Sequence, residues 1–421
     1  MMKYVEKRNY NMKIKNKNID SSKKKVIVLL TNSFPYGKGE AFLETEILYL
    51  SQVFEVIYII PTSKSTLQRD VPKNVYVSDM FINARISKMK RVVYTFFTFI
   101  FYDAIIKDFP DSLSISYLKL NFIWSFNTML LLKILKNFIK EKKINLQTTI
   151  FYSYWFSAGT NAIVLLKNYY DIKGVTRVHG GDLYESTNNI KTFPYRNFAL
   201  NHINKVFSIS NDGVKHIENR YNVKNILLSR LGVFSRGRTV VPELHDSIHI
   251  VSCSYISTIK RVHLIAEIVK HLKYKKIIWT HFGIGNDNKL TKILTKIDNR
   301  IIIRFMGQKD NSYILNFYHE NSIDLFINVS TSEGIPVSIM EAMSAGIPTL
   351  ATDVGGTSEI VKDGYNGFLL RKHFDIKDAI EKLTIIKNRN IVFSDNAYKT
   401  WESEFNAEEN YTKFSKILQN L

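Results

Sequence analysis

Cysteine is almost missing from this sequence. Cys253 is the single thiol in 421 residues, which excludes a disulfide scaffold and a multi-cysteine zinc site and fits a reducing compartment. No D-x-D triplet occurs, so the usual carboxylate site for a metal-bound diphosphate has no candidate. Long apolar runs are missing too. The run 92–102 falls well short of the roughly 18–20 residues that span a bilayer, and the mean hydropathy of -0.11 argues against a polytopic membrane protein. The first 25 residues hold no apolar stretch long enough for a signal-peptide core. Zinc-finger spacing, an RRM-type aromatic motif and a basic helix with a dimerisation heptad are all absent, so only bulk charge supports nucleic acid as a partner, and none is expected. A GTG-type dinucleotide fingerprint is absent as well, which disfavours a dehydrogenase.

What is present is enough apolar matter to fold: 45% hydrophobic and 13% aromatic residues exclude general disorder. A chain of 421 residues exceeds one core, so two domains are expected. The formal charge is +20, and it is unevenly spread. Residues 1–25 carry 9 basic and 2 acidic groups, and residues 85–143 carry 11 and 4, whereas residues 26–84 carry 4 and 6 and residues 144–421 carry 34 and 26. The first segment reads as a solvated tail. The second contains RVVYTFFTFIFYDAII (91–106), preceded by Lys88 and Lys90, and the helical stretch FNTMLLLKILKNFIKEKK (126–143). It reads equally well as a pair of buried helices with basic ends or as a surface that dips into anionic lipid.

After the tail, strand patterns alternate with helical ones. VIVLLT (26–31), EVIYII (55–60), IFYSYW (150–155), GVTRVH (174–179) and KVFSIS (205–210) precede a lapse, FSRGRTVVPELHDS (234–247), that reads as a linker. HIVSCS (249–254), KIIWTHFG (276–283), IIIRFMG (301–307), DLFINVS (324–330) and IPTLAT (347–352) follow it. Such alternation implies right-handed βαβ units and two parallel sheets, hence two Rossmann-like domains facing across a cleft.

The segment STSEGIPVSIMEAMSAGIPTLATDVGGTSEIVKDGYNGFLL (330–370) is the most informative. A buried strand ends at a turn, Pro336 opens a helix and Gly346 closes it. The N–H groups around Ile335, Val337 and Ser338 then form an anion site suited to a diphosphate. Glu333 precedes that helix and Glu341 lies within it, and two carboxylates beside a phosphate site suit sugar or ribose hydroxyls as donors. Either glutamate alone would pass for a surface residue.

This segment resembles the donor domain of family-four glycosyltransferases of the GT-B fold, and the resemblance extends over nearly all of residues 26–421. It implies sugar transfer from a nucleotide donor with retention of anomeric configuration and without a metal. It also implies that Glu333 contacts the donor sugar, that Glu341 contacts the ribose, and that the backbone of Gly334, Ile335, Pro336 and Val337 holds the phosphates. In IVSCSYISTIKRVHLIAEIV (250–269), Lys260 and Arg261 stand where cations would stabilise the departing diphosphate. The family's usual arginine five residues before the lysine is Tyr255 here, a departure for which Arg261 is a candidate replacement. TNSFPYGKGEAFLETEILYLS (31–51) resembles the family's acceptor-side glycine loop, with Gly37, Gly39 and Glu40 facing the donor phosphates across the cleft. TRVHGGDLYES (176–186) resembles the R-x-H-G-x-D pattern of bacterial polysaccharide transferases. There His179 is a candidate to hold the donor sugar and Asp182 to contact the acceptor or the loop, with Arg177 as an alternative partner for Asp182. Gly283, in HFGIGND (281–287), and Gly307 resemble the turns that bracket the nucleotide, though ordinary strand-ending turns look the same.

The expected domains are a basic flexible tail (1–24), an acceptor-side domain (25–235), a nucleotide-sugar domain (236–400) and a closing helix (401–421) that packs back on the first. The expected reaction moves a sugar from a nucleotide diphosphate, UDP first among candidates, to a lipid-linked or other glycan acceptor in bacterial surface-polysaccharide synthesis. No cofactor is expected. The expected location is the cytoplasm, peripheral to an anionic membrane face. A nucleotide-sugar 2-epimerase on the same fold and an inactive GT-B subunit that binds a partner are the rival readings.

Overall fold

The computed structural model describes residues 25–37, 39–84, 86–240 and 246–421. The expected tail 1–24, residue 38 of the glycine loop and residues 241–245 of the linker lie outside them.

Seven strands form the first sheet: β1 (Val26–Thr31), β2 (Val56–Pro61), β3 (Val75–Val77), β4 (Thr149–Ser153), β5 (Lys173–Val178), β6 (Lys205–Ser208) and β7 (Ile226–Leu228). Their spatial order is β3-β2-β1-β4-β5-β6-β7, and every pairing is parallel. The second sheet holds β8 (Ser247–Cys253), β9 (Lys276–Phe282), β10 (Ile301–Phe305), β11 (Leu325–Asn328), β12 (Thr349–Thr352) and β13 (Gly367–Leu370) in the order β10-β9-β8-β11-β12-β13, again all parallel. Helices cover both faces of each sheet, so the central strands are apolar without alternation: Ile27, Val28 and Leu29 are all fully buried. The order reverses between β1 and β4 and between β8 and β11, and such reversals open a crevice at the carboxyl ends of the strands.

Strands β3, β7 and β13 were not among the strands expected from the pattern. The first two are three-residue edge strands, VYV and ILL, whose apolar runs are too short to read as strands and which leave Tyr76 and Leu227 exposed. β13 is a four-residue edge strand inside a segment legible mainly as a motif.

On one face of the first sheet, Val28, Leu30 and Phe151 meet Phe126, Leu131, Leu135 and Phe138 of the helix Ile115–Glu141. Ser114 caps that helix by accepting from the Tyr117 N–H at 3.1 Å. Among the described residues this is the one helix long and apolar enough to cross a membrane by length and composition, and its apolar stripe lies in this core. On the other face, Ile27, Leu29 and Ile57 meet Leu43, Ile47 and Leu50 of the helix Ala41–Val53, together with Phe414 and Leu418 of the last helix, Ala407–Gln419. The chain therefore ends against its first domain. Tyr411 stacks on Tyr49 at 5.9 Å, and Phe414 lies edge-on to Phe207 at 4.9 Å.

Beneath that last helix Arg177 lies fully buried. It faces the equally buried Glu46 at 3.0 Å and donates to the Tyr152 hydroxyl and the Ser229 carbonyl. The alternative pairing of Arg177 with Asp182 is thus corrected: the side chain of β5 residue 177 points to the helix Ala41–Val53, away from the loop that carries Asp182.

Segment 85–143 is only half buried. In the helices Lys88–Phe96 and Phe99–Lys107, Thr95, Ile100, Phe101 and Ala104 face inward, while Met89, Phe97, Phe99 and Ile106 are 80%, 86%, 75% and 72% exposed. The buried-pair reading therefore holds for 126–143, whose Phe126, Leu131, Leu135 and Phe138 lie in the core, but not for 91–106, whose outer apolar face has no protein cover among the described residues.

Candidate functional site

The two domains meet where β5 and β11 end. β5 runs into His179-Gly180-Gly181, and β11 runs through Val329–Ser332 into Glu333-Gly334. A Cβ placed on Gly180 would lie 3.2 Å from the Gly334 Cα, so the two backbones touch where any side chain would hold them apart. A third glycine supports the contact from behind. Gly355 has φ +56°, and a Cβ there would lie 1.9 Å from the Glu333 carbonyl, while the Gly356 N–H donates to the Gly334 carbonyl at 2.7 Å.

On the second-domain side of the contact, the Glu333 carboxylate accepts from the Lys260 ammonium at 2.6 Å and from the Asn328 amide at 3.1 Å. Lys260 thus reaches the cleft from the loop between β8 and the helix Val262–His271, and both charges are partly covered, at 26% and 11% side-chain exposure. Pro336 precedes the helix Val337–Ser344, whose start has no side-chain cap, so its leading N–H groups, Val337 and Ser338 included, are left for a ligand. Ile335 is buried behind them.

Glu341, in the second turn of that helix, is nine-tenths buried and accepts a hydrogen bond from the Asn311 amide. Burial pushes its carboxyl up to about 7, against the opposing effect of Asn311. Nearby, burial and the Glu341 charge push the Cys253 thiol up to about 12, so it stays protonated at neutral pH and acts as a small apolar group.

Arg261 does not serve as a second cation for a diphosphate. Its guanidinium donates to the carbonyls of Val329 (2.7 Å), Ser330 (3.2 Å) and Lys372 (2.7 Å), and the residue is nine-tenths buried. It stitches its loop to the end of β11 because a guanidinium pointing into protein must satisfy its donors on backbone oxygen. Tyr255 is 62% exposed on the same loop. The adjoining turn is built around glycine: Gly283 has φ +141°, a Cβ there would lie 1.8 Å from the Ser254 carbonyl, and its N–H donates to the Gly307 carbonyl at 2.9 Å.

On the first-domain side, His179 is sandwiched between Tyr154 and Trp155, with ring centroids 4.8 and 4.3 Å away. Nδ1 lies 3.8 Å from the Asp182 carboxylate, and neither ring nitrogen has a hydrogen-bond partner among the described residues, so Nε2 is left with unspent polar capacity at the cleft. Asp182 makes the loop contact expected of it, its carboxylate taking the N–H groups of Phe156 (2.8 Å) and His179 (2.7 Å), and it also lines the cavity described below. Burial raises its pKa, but His179 and these backbone donors outweigh that and hold it below the usual range.

Glu40 is likewise an organiser. Its carboxylate accepts from the backbone of Asn32, Ser33 and Phe34 and from the Trp155 indole at 2.6 Å, so one carboxylate shapes the glycine loop and fixes the ring on which His179 packs. The carbonyls of Gly37 and Gly39 are both held by Arg69, and Gly37 has φ +69°.

Below this loop, at the carboxyl ends of β1 and β4, a cavity of about 300 Å³ is lined by Asn32, Trp124, Asn127, Trp155 and Gly181 among others. Among the described residues no cluster of three or more His, Cys, Asp and Glu is placed to hold a metal.

Several partners were invisible in the sequence. Asn311, Asn328, Arg69 and Trp155 lie 30, 5, 30 and 115 residues from the groups they hold, and only Asn328, at the end of a legible strand, had a local signal. A clamp between the domains was missed altogether. The Glu359 carboxylate accepts from the N–H groups of Asn211 and Asp212, at the start of the first-domain helix Asn211–Tyr221, and from Arg230 at 2.7 Å.

Comparison with known proteins agrees with this architecture. Residues 238–400 match the family model described as glycosyl transferases group 1. No curated protein matches the chain in sequence. Among solved structures, the apo form of the lipopolysaccharide outer core galactosyltransferase WaaB is similar over 94% of this chain and 100% of its own, with TM-score 0.65 and 14% identity. A glycosyltransferase from Rickettsia africae ESF-5 is similar over 94% of this chain and 98% of its own, with TM-score 0.63 and 16% identity. Anabaena Alr3699/HepE, solved in complex with UDP and glucose, is similar over 94% of this chain and 100% of its own, with TM-score 0.61 and 15% identity.

Proposed function

Because residues 238–400 match the group 1 glycosyl transferase model and the whole chain shares its fold with solved glycosyltransferases, we propose that this chain is a glycosyltransferase that moves a sugar from a nucleotide diphosphate, UDP first, to a lipid-linked glycan acceptor with retention of configuration. The setting we propose is bacterial surface-polysaccharide synthesis at the cytoplasmic face of the membrane. The observation that carries the reading is the meeting of Gly180 with Gly334, which sets His179 and the Lys260–Glu333 pair on opposite sides of one junction.

In this reading the uncapped start of the helix Val337–Ser344 and the Lys260 ammonium take the diphosphate, and their positive ends meet the charge that grows as the sugar leaves. Glu333, already oriented by Lys260 and Asn328, accepts from sugar hydroxyls. Glu341 accepts from the ribose. His179 offers its free ring nitrogen to the donor sugar. Closure at the glycine contact keeps water from the anomeric carbon. The structure of Anabaena Alr3699/HepE with UDP-glucose supports UDP as the first nucleotide to try.

The membrane location rests on the uncovered face of Met89, Phe97, Phe99, Ile106 and Ile115, which is flanked by exposed Lys90 and Lys119. Exposed apolar side chains with cations near them in the chain fit an anionic lipid surface, where each cation contributes about 1 kcal/mol.

The test is turnover of UDP-sugars by the purified protein with lipid-linked acceptors, with the anomeric configuration of the product read by NMR. Glu333→Gln and Lys260→Ala should each lower kcat about 100-fold, the usual loss for one preorganised group. Epimer formation without acceptor, or full activity in both variants, would overturn the reading. Flotation with anionic vesicles should fall as salt rises, and binding indifferent to lipid charge and salt would remove the membrane part.

A further inference from the structure

Arg91 is anomalous among the described arginines around the first domain. Arg177 faces Glu46, Arg196 donates to the carbonyls of Phe156 and Asp182, Arg69 straps the glycine loop, and Arg230 is paired with Glu359. Arg91 has no ion-pair partner among the described residues, and its Nε is buried without any hydrogen bond. Among the described residues its guanidinium is steadied only by the Phe126 ring, with 5.1 Å to the ring centroid. Leaving a guanidinium donor buried and unmatched is costly unless a ligand completes it.

The group faces a cavity of about 250 Å³ lined by Asn32, Ser63, Phe126 and Asn127 as well as Arg91. This cavity shares Asn32, Thr62 and Asn127 with the larger one that runs to Trp155 and Gly181, beside the glycine contact. The Asn127 amide has no hydrogen-bond partner among the described residues and lines both cavities. Ile123, which lines the larger one, is half exposed on the helix that also presents Ile115 and Leu118 to solvent. A polar, cationic chamber thus stands between the sugar-sized space at the cleft and the uncovered apolar face.

We propose that this chamber is the anion subsite of the acceptor, in which Arg91 and Asn127 hold the phosphate or diphosphate that joins the acceptor sugar to its lipid. The order of chemistry along the groove matches the order in such a molecule: two tryptophans for the sugar, an unpaired guanidinium and an amide for the anion, exposed aliphatic and aromatic side chains for the chain. The inference rests on the transferase reading for its acceptor, but the anion site can be tested apart from turnover.

The experiment is calorimetric titration of the full chain with geranyl diphosphate, with UDP present in excess so that the donor phosphate site is filled. Wild type should bind the probe. Arg91→Gln should weaken it about 10- to 100-fold, the range for hydrogen bonds to a charged group, and Arg91→Lys should weaken it less. Asn127→Asp, which sets a negative charge beside the anion, should weaken it comparably and serves as the second variant if Arg91→Gln misfolds. UDP affinity should not change in any of them. Absence of probe binding by wild type, or equal binding by all variants, overturns the site. So does a loss of anionic-vesicle flotation in Arg91→Gln with probe affinity intact, which would assign the arginine to headgroups. Should UDP itself not bind, the transferase reading falls on its own, and the same titration without UDP still decides whether Arg91 holds an anion.

Discussion

If Glu341 takes the ribose as proposed, its raised carboxyl makes nucleotide binding depend on pH in a way that can be worked out beforehand. Burial places its ionisation at about 7 in the free protein, against 4.5 for an ordinary glutamate. If the ionised carboxylate is the form that accepts both ribose hydroxyls, binding must first remove a proton whenever the pH lies below that value. At pH 8 about nine-tenths of the protein is ready, and at pH 6 about one-tenth, so the dissociation constant should rise roughly tenfold between them, or about 1.4 kcal/mol. The ligand should be UDP-glucose, since the terminal phosphate of UDP itself ionises near about 6 and would superimpose its own titration. Calorimetry at pH 6, 7 and 8 reads the effect directly. Glu341→Gln keeps the shape, cannot ionise, and should bind weakly at every pH with no slope. A flat profile for wild type, or an unchanged slope in Glu341→Gln, would refute the role of this carboxylate. The same shift has a stability counterpart. Because the folded carboxyl takes its proton more readily than the unfolded one, this group is neutral to stability below about pH 4.5 and lowers stability as pH rises towards 7. Glu341→Gln should therefore gain stability relative to wild type at pH 8 but not at pH 4, as read by urea denaturation.

Other perturbations have equally definite outcomes. Arg177→Met strands the buried Glu46 carboxylate and should destabilise the fold by about 3–5 kcal/mol in chemical denaturation, whereas a loss below about 1 kcal/mol would mean the pair is not closed in solution. Glu359→Ala removes the carboxylate that joins Arg230 and the start of the helix Asn211–Tyr221 to the second domain. It should enlarge the radius of gyration in X-ray scattering of the free protein, and an unchanged radius would show that the clamp does not hold the domains. Gly355→Ala places a methyl 1.9 Å from the Glu333 carbonyl at a positive φ, so both Tm and kcat should fall; a drop in Tm without loss of kcat would separate that glycine from the site. Phe97→Ser with Phe99→Ser should lower vesicle flotation while leaving UDP-glucose affinity intact.

Much of the architecture was legible in the chain because it depends on local pattern. A strand covered on both faces needs an unbroken apolar run, and VIVLLT, KIIWTHF and their counterparts supply it, while the proline-to-glycine frame around 336–346 marks a helix by backbone chemistry alone. The residues of the segment 330–346 were legible for the same reason: a strand end, a turn and a helix start bring Glu333, the uncapped N–H groups and Glu341 together within a dozen positions. What that reading could not supply was how each charge is spent. Arg261 and Lys260 are neighbours in sequence, yet one donates to three carbonyls and the other reaches Glu333, because the left-handed backbone at Arg261 turns the two side chains to different surroundings. Asp182 and Glu40 likewise look like cleft carboxylates until the backbone donors that saturate them are known.

The sequence by itself therefore determined two parallel α/β domains, the strand, turn and helix around Glu333 and Glu341, and the position of the excess charge along the chain, since periodicity and turn chemistry are properties of neighbouring residues. Tertiary structure alone decided which charges are consumed and which stay free. Glu46 meets Arg177 across 131 positions and Gly180 meets Gly334 across 154, while Arg91 meets no carboxylate among the described residues. The reason is physical: burial and pairing are fixed by which helices and strand ends the two sheets bring into contact, and no local rule carries that information.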